Sequence, residues 1–142
     1  MAEQVFQNSV KPVLRSLLMY VCGKQIDEMQ ETNPGIISVT ATTSDGFTLA
    51  TTLRLRADAD KLSAMASSMG ALGAALSQSA GRGGVDNLVM ETAEGKIALM
   101  RVSGLKEQVV LAVVADASVN LGQLLWACRN ACQKISEAAQ AR

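Results

Sequence analysis

The sequence predicts an α+β fold: a five-stranded antiparallel sheet sandwiched by helices, in the order α-ββ-α-βββ-α. Three observations carry this. Residues 36–42 and 47–54 are runs rich in β-branched residues around Asp45-Gly46, a dipeptide that accepts positive φ and closes a hairpin. Residues 86–92, 96–102 and 108–115 are strand-length runs joined by Glu94-Gly95 and Ser103-Gly104, the pattern of an antiparallel meander. The run from Val109 to Ala115 is apolar without alternation, which means cover on both faces of the sheet.

The remaining elements follow in order. Val10, Val13, Leu14, Leu17, Leu18, Val21 and Cys22 repeat at three and four, predicting a first helix over about 9–31. Ser9 is its expected cap, Pro12 fits a first turn, and Asn33-Pro34-Gly35 stops it. Gly23 argues against a straight middle. A second helix is expected from Ala57 or Asp58 to about Gln78, with Asp58 and Asp60 favouring its start through capping and the dipole. Gly81-Arg82-Gly83-Gly84 ends it. Ser118 is the expected cap of a last helix over about 119–139.

A chain of 142 residues reads as one domain, 1–142, long enough to bury its own core. Apolar residues make up 49% and aromatics only 3%, so that core is aliphatic and methionine-filled. Thirteen basic and thirteen acidic residues cancel, which argues against nucleic acid, whose binding needs a basic surplus to displace counterions. Cys22, Cys128 and Cys132 form an odd set without Cys-x-x-Cys spacing, pointing to a reducing compartment and a cytoplasmic location. No run approaches a membrane span, so no membrane insertion is expected.

The second helix carries two stripes. Leu62, Met65, Met69, Leu72 and Leu76 share one face, and the large side chains are expected on the chain's own sheet. Ala59, Ser63, Ala66, Gly70, Gly73 and Ser77 share another. Glycine inside a helix costs about 1 kcal/mol relative to alanine, and close contact with a second helix offsets that. The small stripe is therefore expected to meet its own copy in a two-fold homodimer. The strand containing Leu88, Val89 and Met90 has neither proline nor lysine to blunt an edge, so it is expected to join the same interface.

Chemistry is narrowly bounded. The chain has no histidine, no Gly-x-x-x-x-Gly-Lys-Ser/Thr loop and no Gly-x-Gly-x-x-Gly after a strand. No catalytic residue, cofactor or metal site is expected. The three cysteines lie on apolar stripes and read as core rather than as ligands. Arg82 reads as a solvated turn residue, with an arginine finger as the sharper alternative. Trp126 lies off the apolar stripe of the last helix and either packs on the first helix or anchors an interface. Asp45 and Phe47 read as turn and core residues.

Three segments in order then resemble the Roadblock/dynein-light-chain family. They are Ser44-Asp45-Gly46-Phe47-Thr48-Leu49-Ala50, Asp58-Ala59-Asp60-Lys61-Leu62-Ser63-Ala64-Met65, and Ala117-Ser118-Val119-Asn120-Leu121-Gly122. The resemblance covers about residues 12–138. It implies a non-enzymatic homodimer with second helices antiparallel and third strands joined across the axis. It also implies a partner: MglB-like bacterial members regulate small Ras-like GTPases. The contact is expected on the second helix and its flanking loops, at Asp60, Lys61, Ser67 and Arg82. The alternative is a structural adaptor that assembles a complex without GTPase regulation. A small-ligand sensor is the third class, disfavoured because aromatics are scarce.

Overall fold

A computed structural model describes the backbone of residues 2–140 and the side chains of residues 14–140. Its elements are α1 (Ala2–Thr32), β1 (Ile36–Thr43), β2 (Thr48–Thr51), α2 (Arg56–Ser79), β3 (Asn87–Thr92), β4 (Gly95–Val102), β5 (Val109–Asp116) and α3 (Leu121–Gln140). The five strands form one antiparallel sheet in the order β2-β1-β5-β4-β3. The α+β sandwich read from the sequence is the fold observed, and β3 is an edge strand.

Several local expectations change. The helix α1 already includes Ala2, so Ser9 and Pro12 both lie inside it, beyond its first turn. In the hairpin loop only Gly46 is left-handed (φ +91°), and Thr43 closes residues 44–46 by donating its N–H to the Phe47 carbonyl. The cap of α2 is Leu55, in an extended conformation with no side-chain bond, so neither Asp58 nor Asp60 caps that helix. Asp58 still lies in the first turn, where its charge favours the dipole. Asn120 replaces Ser118 as the cap of α3. Its Oδ1 accepts from Gln123 N at 2.8 Å while Gln123 Oε1 accepts from Asn120 N at 3.2 Å, a reciprocal capping box. Ser118 instead bonds back to the Asp116 carboxylate, which holds that carboxyl below its ordinary range.

One face of the sheet carries α1 and α3. Val39, Ala41, Met100, Leu111 and Val113 pack there against Cys22, Ile26, Met29, Leu124, Cys128 and Ile135. All three cysteines are free thiols in or beside this core, and burial pushes each up to about 12. They are protonated at neutral pH, as core residues should be.

The other face carries α2, and here the expected assignment is reversed in part: Leu62 and Met69 of the large stripe do pack on the sheet, but the rest of that stripe does not. Ala59, Ser63 and Ala66 are the buried residues of α2, turned onto the sheet of their own chain. Met65, Leu72 and Leu76 are 60%, 70% and 72% exposed. The cause lies in the sheet beneath. Thr40 and Thr42 are in register with Ala112 and Val110, which belong with Ala66 to the cluster under α2. Thr48 Oγ1 lies 2.7 Å from Ser63 Oγ and donates to Asp60 Oδ1 at 2.8 Å. A hydroxyl-bearing face has to be satisfied by short polar partners, and small helix residues let the backbones approach closely enough.

This packing makes a sharp expectation. Ala66→Leu overfills a site between α2 and the central strands and should cost about 1–3 kcal/mol in urea unfolding. Were the small stripe outward-facing, the same change would leave a single chain's stability within about 0.5 kcal/mol of wild type.

Candidate protein interface

Where α2 passes the edge of the sheet, the fold leaves an apolar shoulder. Leu62 and Met69 are half-buried against Leu99, Ala112, Leu88 and Val110. The rest of that stripe, Met65, Leu72 and Leu76, continues outward into solvent. Beside it β3 bonds only to β4, so its outer N–H and C=O groups have no strand partner. Met90 is exposed on that strand. Single exposed apolar residues are ordinary, but a row of them beside an open strand edge marks a contact surface.

The residues expected at a dimer contact fall into different places. Ala59, Ser63 and Ala66 are corrected to core positions, because no partner copy reaches a buried residue. Gly70 faces open space: a Cβ built on it meets nothing within 4 Å. A Cβ on Gly73 would lie 3.8 Å from Leu88 Cδ2, so this glycine lets α2 pass close to its own β3. Ser77 Oγ donates to the Gly83 carbonyl at 2.7 Å and folds the following loop back onto the helix end. Leu88 is half-buried beneath α2, while Val89 packs against the main core on the opposite face.

The expected partner-contact residues are also separated. Asp60 is engaged by Thr48 and by Arg56, whose Nε lies 3.3 Å away. Ser67 Oγ donates to the Ser44 carbonyl and pins the hairpin loop to α2. Lys61 and Arg82 are exposed, with no side-chain hydrogen bond or ion pair among the described residues. Lys61 lies in the second turn of α2 and Arg82 beyond its C-terminal end, about 27 Å of helix apart, so a single chain does not bring them together.

The hairpin tip is braced rather than free. The Arg15 guanidinium sits 4.8 Å from the centroid of the Phe47 ring and also pairs with Glu107. Asp45 accepts from the Thr43 hydroxyl, which holds its carboxyl below the ordinary range. Phe47 is partly exposed instead of core. Sequence reading missed the outward turn of Met65, Leu72 and Leu76. The signal was present in the row Thr40, Thr42 and Thr48, which demanded small or polar partners.

No helix among the described residues is long and apolar enough to cross a membrane. No group of three His, Cys, Asp or Glu side chains among them has metal-binding geometry.

The chain is thus a helix-covered antiparallel sheet whose β3 edge is open beside an apolar shoulder, and comparison gives that architecture a family. The Roadblock/LC7 domain model matches residues 23–115, and the chain belongs to the Roadblock/LC7 family. A Roadblock/LC7 domain from Streptomyces avermitilis superposes with a TM-score of 0.74 at 17% identity, covering 83% of this chain and 97% of that one. The gliding protein MglB from Thermus thermophilus gives 0.74 at 18% identity, covering 88% and 93%. An MglB described as having a tetrameric arrangement gives 0.74 at 17% identity, covering 87% and 91%. At these identities the likeness is one of fold. No curated protein matches the sequence significantly.

Proposed function

We propose that this chain is a homodimeric, non-catalytic regulator of a small Ras-like GTPase in the cytoplasm. The observation that carries the proposal is the shoulder formed by Met65, Leu72 and Leu76 beside the unpaired edge of β3, in a chain of the Roadblock/LC7 family. Two copies related by a two-fold axis bury these rows against each other, with Gly70, which faces open space, allowing close approach of the α2 helices. Antiparallel pairing of α2 then carries the Lys61 end of one copy toward the Arg82 end of the other. The self-association described for one MglB relative supports this reading.

The paired helices would form a platform for the GTPase switch loops, biasing which of their conformations is populated. Nucleotide and metal belong to the GTPase, whose own residues carry the hydrolysis. The test is binding of a small GTPase encoded beside this gene, loaded in turn with GDP and with a non-hydrolysable GTP analogue. At least about a tenfold preference for one state is expected, since a regulator shifts an equilibrium only by its differential affinity. Equal affinity for both states with an unchanged hydrolysis rate would instead assign the chain as a structural adaptor.

A further inference from the structure

The backbone of β3 restricts how its open edge can be used. The Asp86 carbonyl accepts from Arg101 N at 3.5 Å, so Asp86 is bonded inward to β4. Bonded and non-bonded pairs alternate along an antiparallel ladder, so Leu88, Met90 and Thr92 also bond inward. The N–H and C=O groups of Asn87, Val89 and Glu91 therefore point to the free edge. Side chains alternate as well. Leu88 lies beneath α2, whereas Val89 packs on the main core and Asn87 lines a cavity against α3. Met90 accordingly shares the α2 face and Glu91 the α3 face.

That cavity, of about 530 Å³, lies between Asp86, Asn87, the end of β4 and α3, with Arg129 in its wall. Arg129 is exposed and has no ion pair or side-chain hydrogen bond among the described residues. The acids on the same lining are Asp86 and Glu137. Neither pairs with Arg129, and Glu137 accepts from Gln133 Nε2 at 3.0 Å. Glu91 is likewise exposed and unpaired, because its cross-strand neighbour Lys96 turns away to donate to the Val119 carbonyl at 3.0 Å. Each chain thus holds an unpaired cation at the cavity and an unpaired carboxylate along the adjoining edge.

We propose that two copies join β3 to β3 antiparallel in the register centred on Val89, so that the partner's Glu91 enters the cavity mouth beside Asn87 and pairs with Arg129. The inference rests on the homodimer reading above and adds to it a register and the ion pair that selects it. For the two α2 rows to meet, both copies must turn α2 to the same face of a shared sheet. Directly opposite residues share a face, so odd positions oppose odd and even oppose even. Centring on Val89 sets Asn87 opposite the partner's Glu91 and Val89 opposite the partner's Val89, and uses every outward group of β3. On the α2 face it sets Leu88 opposite the partner's Met90, apolar on apolar. Centring on Met90 would lay the carboxylate of Glu91 on the partner's Val89, and centring on Leu88 would run Glu91 past the end of the partner's strand.

The test is a charge swap. Glu91 and Arg129 are exposed in the single chain, so Glu91→Arg and Arg129→Glu should both keep the wild-type urea midpoint. Each alone sets like charges at both symmetric contacts and should weaken its homodimer at least about tenfold. Mixed together, they restore one contact and reverse both charges of the other. Native mass spectrometry of an equal mixture should then show about nine-tenths heterodimer, against the half that random pairing gives. A second readout needs no charge. Leu88→Cys mixed with Met90→Cys should form a mixed disulfide under mild oxidation, and neither alone should cross-link, because like positions are too far apart in this register. A random mixture of the charge variants, or a disulfide within Met90→Cys or Leu88→Cys alone, overturns the register and leaves the homodimer standing. Wild type that sediments as a single chain at every accessible concentration overturns both.

Discussion

Leu72→Glu combined with Leu76→Glu should convert the proposed dimer to a folded monomer. Both side chains are largely exposed in the single chain, so their loss removes little of its own core. Glutamate matches leucine closely in helix propensity, so α2 should persist. In the dimer the accounting differs. Covering an exposed leucine contributes about 1.5–3 kcal/mol, and two copies contribute four such residues. Placing four carboxylates in the same seam adds desolvation and like-charge repulsion. A weakening of about a thousandfold or more is expected, roughly 4 kcal/mol or above. Sedimentation velocity at micromolar concentration should show wild type at twice the 14.9 kDa chain mass and the variant at that mass, with unchanged far-ultraviolet circular dichroism. A variant still sedimenting as a dimer would remove the α2 shoulder from the interface.

Gly95→Ala should produce the largest loss of stability of any single methyl addition. Gly95 opens β4 with φ +154°, in register with Asp116 of β5. A Cβ there would lie 2.0 Å from the Ala115 carbonyl oxygen and 3.0 Å from two backbone carbons. Neither obstacle is a flexible side chain. Relief requires β4 to pull away from β5, which pairs with both β1 and β4 inside the sheet. About 3–5 kcal/mol is expected, a large share of the roughly 5–15 kcal/mol that holds a domain folded. Gly81→Ala is the control. Gly81 is also left-handed, at φ +68°, but a Cβ there meets nothing within 4 Å. Its cost is conformational alone, about 1–2 kcal/mol. Urea midpoints for the two variants separate steric conflict from backbone strain. Equal losses would mean that the β4–β5 approach is not the constraint at Gly95.

The sequence was most legible where periodicity has one physical cause. The unbroken apolar run in β5 demanded cover on both faces, and it lies in the sheet interior between β1 and β4. The absence of proline and lysine in β3 marked an edge left open. The cysteines sat on apolar stripes and lie in the main core. Boundaries were less legible. Asn120 and Ser118 are both good caps by residue type, and only the reciprocal bond with Gln123 selects Asn120. The α2 stripes were misread because a helical wheel reveals that two faces differ, not which neighbour each one meets.

What local chemistry dictated by itself was the list of elements, their order, the mixed-layer class and the open edge. These depend on propensity, turn residues and spacing, all of which act between residues close in the chain. Only the tertiary structure decided the orientation of α2 and the exposure of Trp126. Each depends on a surface built by elements distant in sequence: the threonine row beneath α2, and the cleft between the ends of α1 and α3. Burial follows the pair of surfaces that meet, so a single helix cannot announce which of its apolar faces goes inside.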